Sequence, residues 1–314
     1  MFYYFFNRLG LAIVIVSVAM LLLFFMIYVI PGDPAAVALG PRATDAMREA
    51  LRVKMGMDQP VWVQFGNFFV NAWQGDLGNE VLSDRPVTTV VLEQLPHTLA
   101  LIVGGMVWSV ALGIPLGCWA AVTRGSLADR IVGVLSVAVI AVPSFVVAIY
   151  ALLVFAVTLR WLPAIGAGDA GDVGDQFLHL ILPSLAVGLG WVGYIARMVR
   201  ASMLEVLEAP HIRTARAFGL PERQIAYRYA LTIAILPTVT LLGVGIGQML
   251  SSAVFAEIVF ARPGVGKLVY DAILTRNYPL VTGTVLVTTV LFVFINLIAD
   301  LVVGALDPRV RNRL

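Results

Sequence analysis

Gly188, Gly190 and Gly193 carry the G-x-G-x-x-G spacing of a dinucleotide-binding turn. That chemistry needs a strand before the glycines and a helix opening after them, so that a pyrophosphate meets free backbone N–H groups. Here the glycines lie inside an unbroken apolar run, which argues against it. Pro263-Gly264-Val265-Gly266-Lys267-Leu268 has the outward look of a phosphate loop. Ala261, however, stands where the first glycine of G-x-x-x-x-G-K-[ST] belongs, and Leu268 replaces the hydroxyl residue that holds magnesium. The chain therefore has no visible means of hydrolysing ATP. Asp169, Asp172 and Asp175 share a glycine-rich stretch, but their spacing is not that of a calcium loop, and a flexible external loop is the better reading. His97, His179 and His211 are scattered without metal-ligand spacing, and the one cysteine, Cys118, has no partner for an intramolecular disulfide. No Ser/His/Asp set and no paired carboxylates converge. Catalytic and metal sites are expected to be absent.

The elements around these residues are those of a membrane. The chain is 60% hydrophobic and 13% charged, about half the charge of a soluble domain, and its mean hydropathy is +0.92. A net charge of +2 argues against a nucleic-acid surface. Spans of about 20 apolar residues cross a bilayer. Six are expected: 9–30, 99–122, 131–159, 178–196, 233–255 and 280–299. Pro143-Ser144 predicts a kink in the third. Between the first two lies an external insertion, 31–95. It holds one helix capped by Thr44 or Asp45 and a second started by Pro60, whose apolar side carries Val61, Phe65, Phe68, Phe69, Ala72 and Trp73 along the outer interface. The short segments assigned to the inside carry two (124–130), six (197–228) and three (the tail) Lys or Arg residues. The loop after the third span holds three aspartates against one arginine. Six spans with both termini cytoplasmic satisfy that asymmetry.

The most charged stretch, 208–237, organises the rest. Pro210 fits the first turn of a helix and Gly219 the left-handed residue just past its end. Within that short helix Ile212, Ala215 and Phe218 form an apolar ridge, and Arg213 and Arg216 a basic flank. Pro221 can start a second helix running through Tyr227 and Leu231 towards Pro237. A short amphipathic helix hung below a membrane can dock into another protein's groove, although basic loops are also ordinary on the cytoplasmic side.

The wording Arg213-Thr214-Ala215-Arg216-Ala217-Phe218-Gly219-Leu220, closed by Leu236-Pro237, resembles the coupling loop of ABC importer permeases, closest to the peptide, nickel and glutathione branch. Arg213-Thr214-Ala215 stands where many importers carry Glu-Ala-Ala, and the distance from Gly219 to Pro237 exceeds that of sugar importers. Both look like features of the peptide branch. The resemblance extends through Pro31-Gly32-Asp33-Pro34, Gly56-Met57-Asp58-Gln59-Pro60, Gly75-Asp76-Leu77-Gly78, Arg85-Pro86-Val87 and the run from Phe260 through Leu268 to Tyr278-Pro279, reaching the Asp307-Pro308-Arg309 ending. It implies an all-α polytopic type I permease fold with six transmembrane helices and a helical periplasmic insertion. Three parts follow: 1–30, the insertion 31–95, and a five-helix core 96–314 that includes the coupling loop 203–236.

By that resemblance the chain is a permease subunit in a bacterial inner membrane, for di- or oligopeptides or alternatively nickel or glutathione. Its implied partners are a homologous second permease, two ATP-binding-cassette ATPases and a periplasmic or lipid-anchored substrate-binding protein. ATP and magnesium would sit in the ATPases, leaving no cofactor here. Pro210, His211, Ile212, Arg213, Thr214, Ala215, Arg216, Phe218 and Gly219 are the implied coupling residues, and Arg216→Glu is expected to uncouple hydrolysis from uptake. Gln248, Ser251, Ser252 and Asn296 either line a path or make interhelical hydrogen bonds. Glu257 either pairs with Arg262 or meets substrate. A proton-coupled carrier needs ionisable groups deep in the spans, and His179 and Asp300 both lie near span ends.

Overall fold

The structure is a computed structural model, and it describes residues 2–29, 43–54, 58–81 and 83–306. Pro31 to Pro34, Gly56, Met57 and the basic tail from Asp307 lie outside the described residues. Twelve helices make up the described chain, with a lone antiparallel bridge between Asn79 and Pro86. They are α1 (Phe2–Val29), α2 (Asp45–Lys54), α3 (Val61–Trp73), α4 (Val87–Val122), α5 (Leu127–Ala141), α6 (Ser144–Ala151, widened into π-type turns over Leu152–Thr158), α7 (Val173–Leu207), α8 (Pro210–Ala217), α9 (Glu222–Gln224, continuing as Ile225–Ala230 and Leu231–Ala234), α10 (Leu236–Val259), α11 (Val265–Leu274) and α12 (Tyr278–Leu306).

Five of these, α1, α4, α7, α10 and α12, contain stretches long and apolar enough to cross a membrane, and α5 with α6 can supply a sixth. That sixth is not the kinked rod expected over 131–159. Val142 and Pro143 are both extended, and the two helices meet at 99°. Proline disfavours helical geometry in the residue before it and donates no hydrogen bond itself, so the chain turns sharply here. α4 begins at Val87 and α7 runs from Val173 to Leu207, both well beyond the 99–122 and 178–196 spans that charge and hydropathy outline. A helix does not stop where it leaves an apolar layer. It stops at its cap, and Asp172 caps α7 by accepting hydrogen bonds from the Gly174 and Asp175 N–H groups.

Packing divides the chain into two units: His97–Pro263 with the C-terminal part from Ile295, and Phe2–Pro96 with Gly264–Phe294. The stretch 264–294, expected within a core of 96–314, thus belongs with the N-terminal part. In this second unit the Phe side of α3 lies against α1, with Phe24 5.2 Å from Phe65 and 6.1 Å from Phe68 between ring centroids. Thr44 caps α2 through the Met47 N–H. In the first unit α7 is central and packs on α5, α6 and α10. It also meets α4 along a glycine seam. A Cβ on Gly188 would run into the Gly105 carbonyl oxygen, and one on Gly117 would lie 2.6 Å from the Ala196 carbonyl oxygen. Ser109 of α4 donates to the Gly188 carbonyl at 3.0 Å. Gly193 meets Ser136 of α5 as closely, its would-be Cβ lying 2.5 Å from the carbonyl oxygen. Two of the three glycines of the G-x-G-x-x-G spacing, Gly188 and Gly193, are therefore helix-packing positions.

Candidate functional site

α8 occupies the residues its end signals specify. Pro210 is its first residue, where a missing N–H is no loss. At the other end Gly219 takes φ +76°. The Gly219 N–H donates to the Arg216 carbonyl at 2.9 Å and the Leu220 N–H to the Ala215 carbonyl at 3.3 Å. These are the two bonds of a Schellman motif, which needs a left-handed residue at that point.

The helix is keyed into its own chain. Ile212 has no exposed surface, and Ala215 is buried beside it. Both join a cluster with Ile195, Val199 and Met203 of α7, Cys118 and Ala121 of α4, and Ile225 and Ala226 of α9. Burying the Ile212 side chain contributes about 1.5–3 kcal/mol to that attachment. The expected ridge of Ile212, Ala215 and Phe218 therefore does not face outward as a unit. The first two residues face in, and Phe218 alone of the three stands out, 82% exposed. Periodicity gives an apolar face but not the body it faces.

The basic flank divides in the same way. Arg216 is held by Glu222, Nε donating to Oε1 at 2.7 Å and Nη2 to Oε2 at 3.2 Å, with Nη1 reaching the Leu207 carbonyl at 3.4 Å. The Glu222 carboxyl is held below the usual carboxylate range by its hydrogen bond to Arg216. Its contribution is thus complete above the ordinary carboxylate pKa and is lost as pH falls through the lowered one. The pair is largely solvated, and such pairs contribute at most about 1 kcal/mol. Arg124, after α4, binds Glu208 at 2.7 Å and adds a second clamp at the base of α8. The Arg213 side chain is exposed and makes no hydrogen bond or ion pair among the described residues. His211 and Thr214 are exposed beside it, the Thr214 hydroxyl donating to the Pro210 carbonyl. The outward surface is thus Arg213 with Phe218, and Arg216 holds the helix in place.

The polar residues of α10 sort by face. Gln248 and Ser251 are exposed and share a stripe with the exposed Val244 and Phe255. Ser252 is half-buried, its hydroxyl donating to the Gln248 carbonyl at 3.4 Å. Asn296 of α12 is half-buried. Glu257 lies in the last turn of α10. It is fully buried, and the Thr98 hydroxyl donates to its Oε1 at 2.6 Å. Arg262 is 4% exposed, and burial lowers its guanidinium pKa against the attraction of Glu257. The Arg262 Nε and Nη1 atoms are buried and find no hydrogen-bond partner among the described residues, and the attraction between this guanidinium and Glu257 supports the reading of Arg262 as a neighbouring counter-charge.

One feature escaped the sequence. Asp129, near the start of α5, binds Arg200 of α7 with both carboxylate oxygens, the Nη2 bond being 2.8 Å. It also accepts the Gly125 N–H at 3.0 Å. The Ser126-x-x-Asp129 spacing is a capping signature that could have marked it, and the Ser126 hydroxyl does accept the Asp129 N–H. Of the three aspartates read as a loop cluster, Asp172 caps the start of α7, Asp175 accepts the Asp169 N–H at 2.7 Å, and Asp169 takes part through its backbone.

Comparison with known proteins fits this architecture. Residues 113–312 match the family model of the binding-protein-dependent transport system inner membrane component, and residues 1–102 match the model of its N-terminal part. The chain is 37% identical, over 99% of both lengths, to the glutathione transport system permease protein GsiC of Pectobacterium atrosepticum. It is 36% identical, over 93% of both lengths, to GsiC of Escherichia coli strain K12. Its fold is similar to a chain of the inward-facing MetNI methionine ABC transporter, with a TM-score of 0.56 at 19% identity over 69% of this chain and 96% of the other. A bundle of long, mostly apolar helices, an amphipathic helix keyed into it, and two family models that between them cover nearly the whole chain place this protein among the inner-membrane permease subunits of binding-protein-dependent ABC importers.

Proposed function

We propose that this permease forms half of a translocation path for short peptides of the glutathione kind, and that α8 is the element through which cytoplasmic ATPases move it. The single observation carrying the coupling role is α8 itself, locked into α7 and α4 by Ile212 and Ala215 while presenting Phe218 and Arg213. A force on Phe218 has no slack to absorb it, because Ile212 fixes α8 to the end of the 35-residue helix α7. Packed elements of this kind move as rigid bodies. The exposed α10 stripe of Gln248 and Ser251 is our candidate for this chain's share of the path, facing a second permease of the same family. The names of the GsiC relatives support glutathione within the broader peptide class. The charge asymmetry supports placing α8, the 123–126 turn and both termini in the cytoplasm, with an external binding protein delivering substrate on the far side.

The test is co-purification followed by transport. The tagged protein drawn from its own membranes is expected to bring a second permease and P-loop ATPases. Proteoliposomes of that assembly, given the binding protein, are expected to accumulate labelled glutathione only with ATP. Accumulation of nickel or of longer peptides in its place would overturn the substrate class, and ATP-independent accumulation would overturn the coupling role.

A further inference from the structure

A groove in the first unit lies away from α8, between α5 and α7 with Leu241 of α10 in its wall, and has a volume of about 1220 Å³. It is polarised along its length. The two helices run in opposite directions here, since Asp129 meets Arg200 while Ser136 meets Gly193. Arg130 of α5 and Arg197 and Arg200 of α7 therefore gather at one end, and Val134, Val137 and Tyr194 line the other. Arg200 is held by Asp129. The Arg130 and Arg197 side chains are exposed and make no hydrogen bond or ion pair among the described residues. The mouth thus carries three cations against one carboxylate, above an apolar trough.

We propose that this groove is a binding site for an anionic diacyl phospholipid, its phosphate between Arg130 and Arg197 and an acyl chain along Val134 and Val137. The orientation rests on the importer reading, which sets this mouth at the cytoplasmic interface. Basic pockets between membrane helices on that side suit anionic headgroups. A peptide in transit fits poorly. Its backbone amides would face an apolar trough without hydrogen-bond partners, and burying such groups unpaired is costly. An acyl chain needs none. A lipid held here bridges α5 and α7, two helices that the importer's movement would carry together or apart, so its occupancy would tie the permease to membrane composition.

Native mass spectrometry of the delipidated full-length chain tests this directly, with dioleoyl phosphatidylglycerol, dioleoyl phosphatidylcholine and glycerol 3-phosphate as probes. Two arginines near the membrane surface predict retention of the anionic lipid about 30-fold above the zwitterionic one. Arg130→Gln with Arg197→Gln is expected to abolish that preference, while Arg223→Gln, exposed near α8 and outside the groove, is expected to keep it. Val137→Trp, which fills the trough and leaves every charge in place, is expected to lower retention of both lipids. Equal retention of the two lipids by the native chain would overturn the proposal. So would displacement by glycerol 3-phosphate, which would mean a site for any phosphate, or cross-linking of Val137→Cys to the second permease, which would mean that a protein covers the groove. The measurement requires neither ATPase nor transport, so its failure would leave the importer reading standing.

Discussion

Phe218→Asp is expected to leave the permease folded and inserted while cutting ATP-driven uptake about 30-fold or more. The side chain is 82% exposed and contributes nothing to the cluster that holds Ile212 and Ala215. Its loss should therefore not be felt in folding. At an interface an exposed aromatic of this kind becomes an anchor, and truncating such an anchor typically costs 2 kcal/mol or more, close to a 30-fold change in the occupied state. The assembly is expected to keep hydrolysing ATP or to fall apart from its ATPases, and in neither case to accumulate substrate. Arg216→Glu, the substitution the sequence first points to, is a less clean test. It places a carboxylate against Glu222 and removes the hydrogen bond to the Leu207 carbonyl, so α8 loosens at its base as well as losing a contact. The measurement is uptake and hydrolysis on the same proteoliposomes, with yield and elution profile as the folding control. Full uptake with Asp at 218 would remove Phe218 from the coupling surface.

Gly188→Val is expected to abolish recovery of folded protein, whereas Gly190→Ala, two residues away, is expected to have little effect. A Cβ at Gly188 collides with the Gly105 carbonyl oxygen, a backbone atom that no rotamer change can move. The collision is relieved only by separating α4 from α7, which would also break the Ser109 hydrogen bond to Gly188. Overpacking ordinarily costs about 1–3 kcal/mol where side chains can shift. With backbone on both sides the cost exceeds about 3 kcal/mol, a large share of a total stability of about 5–15 kcal/mol. At Gly190 the nearest atom to an added Cβ is the Val139 carbonyl oxygen at 3.7 Å, an ordinary contact. Fluorescence-detected size exclusion of detergent extracts distinguishes them: a lost or aggregated peak for Gly188→Val and a single native peak for Gly190→Ala. Equal behaviour of the two would mean that the seam is looser than described.

These two sites also show what can be read from a sequence of this kind. The ends of α8 were legible because Pro210 and Gly219 act through their own backbones, and no distant residue has a vote. The direction α8 faces was not, since Ile212 and Ala215 are buried by residues of α4, α7 and α9 that no local pattern identifies. Hydropathy located the spans but misjudged α7, because Arg197 and Arg200 read as a terminus although the helix continues to Leu207. Glu257 was undecidable in principle: its hydrogen-bond partner Thr98 is 159 residues away. The glycine spacing at 188, 190 and 193 falls within one helix, and the close approach of Gly188 to Gly105 and of Gly193 to Ser136 needed the facing helices to be seen.

The most direct test of the central claim, that α8 is where an ATPase drives this permease, is a photo-reactive phenylalanine analogue at position 218. The residue is aromatic already and points away from the protein's own core, so the substitution is mild. After illumination in native membranes, the account predicts an adduct with a P-loop ATPase whose yield changes when ATP is bound. An adduct with lipid or with another permease alone, and none with an ATPase in any nucleotide state, would contradict it.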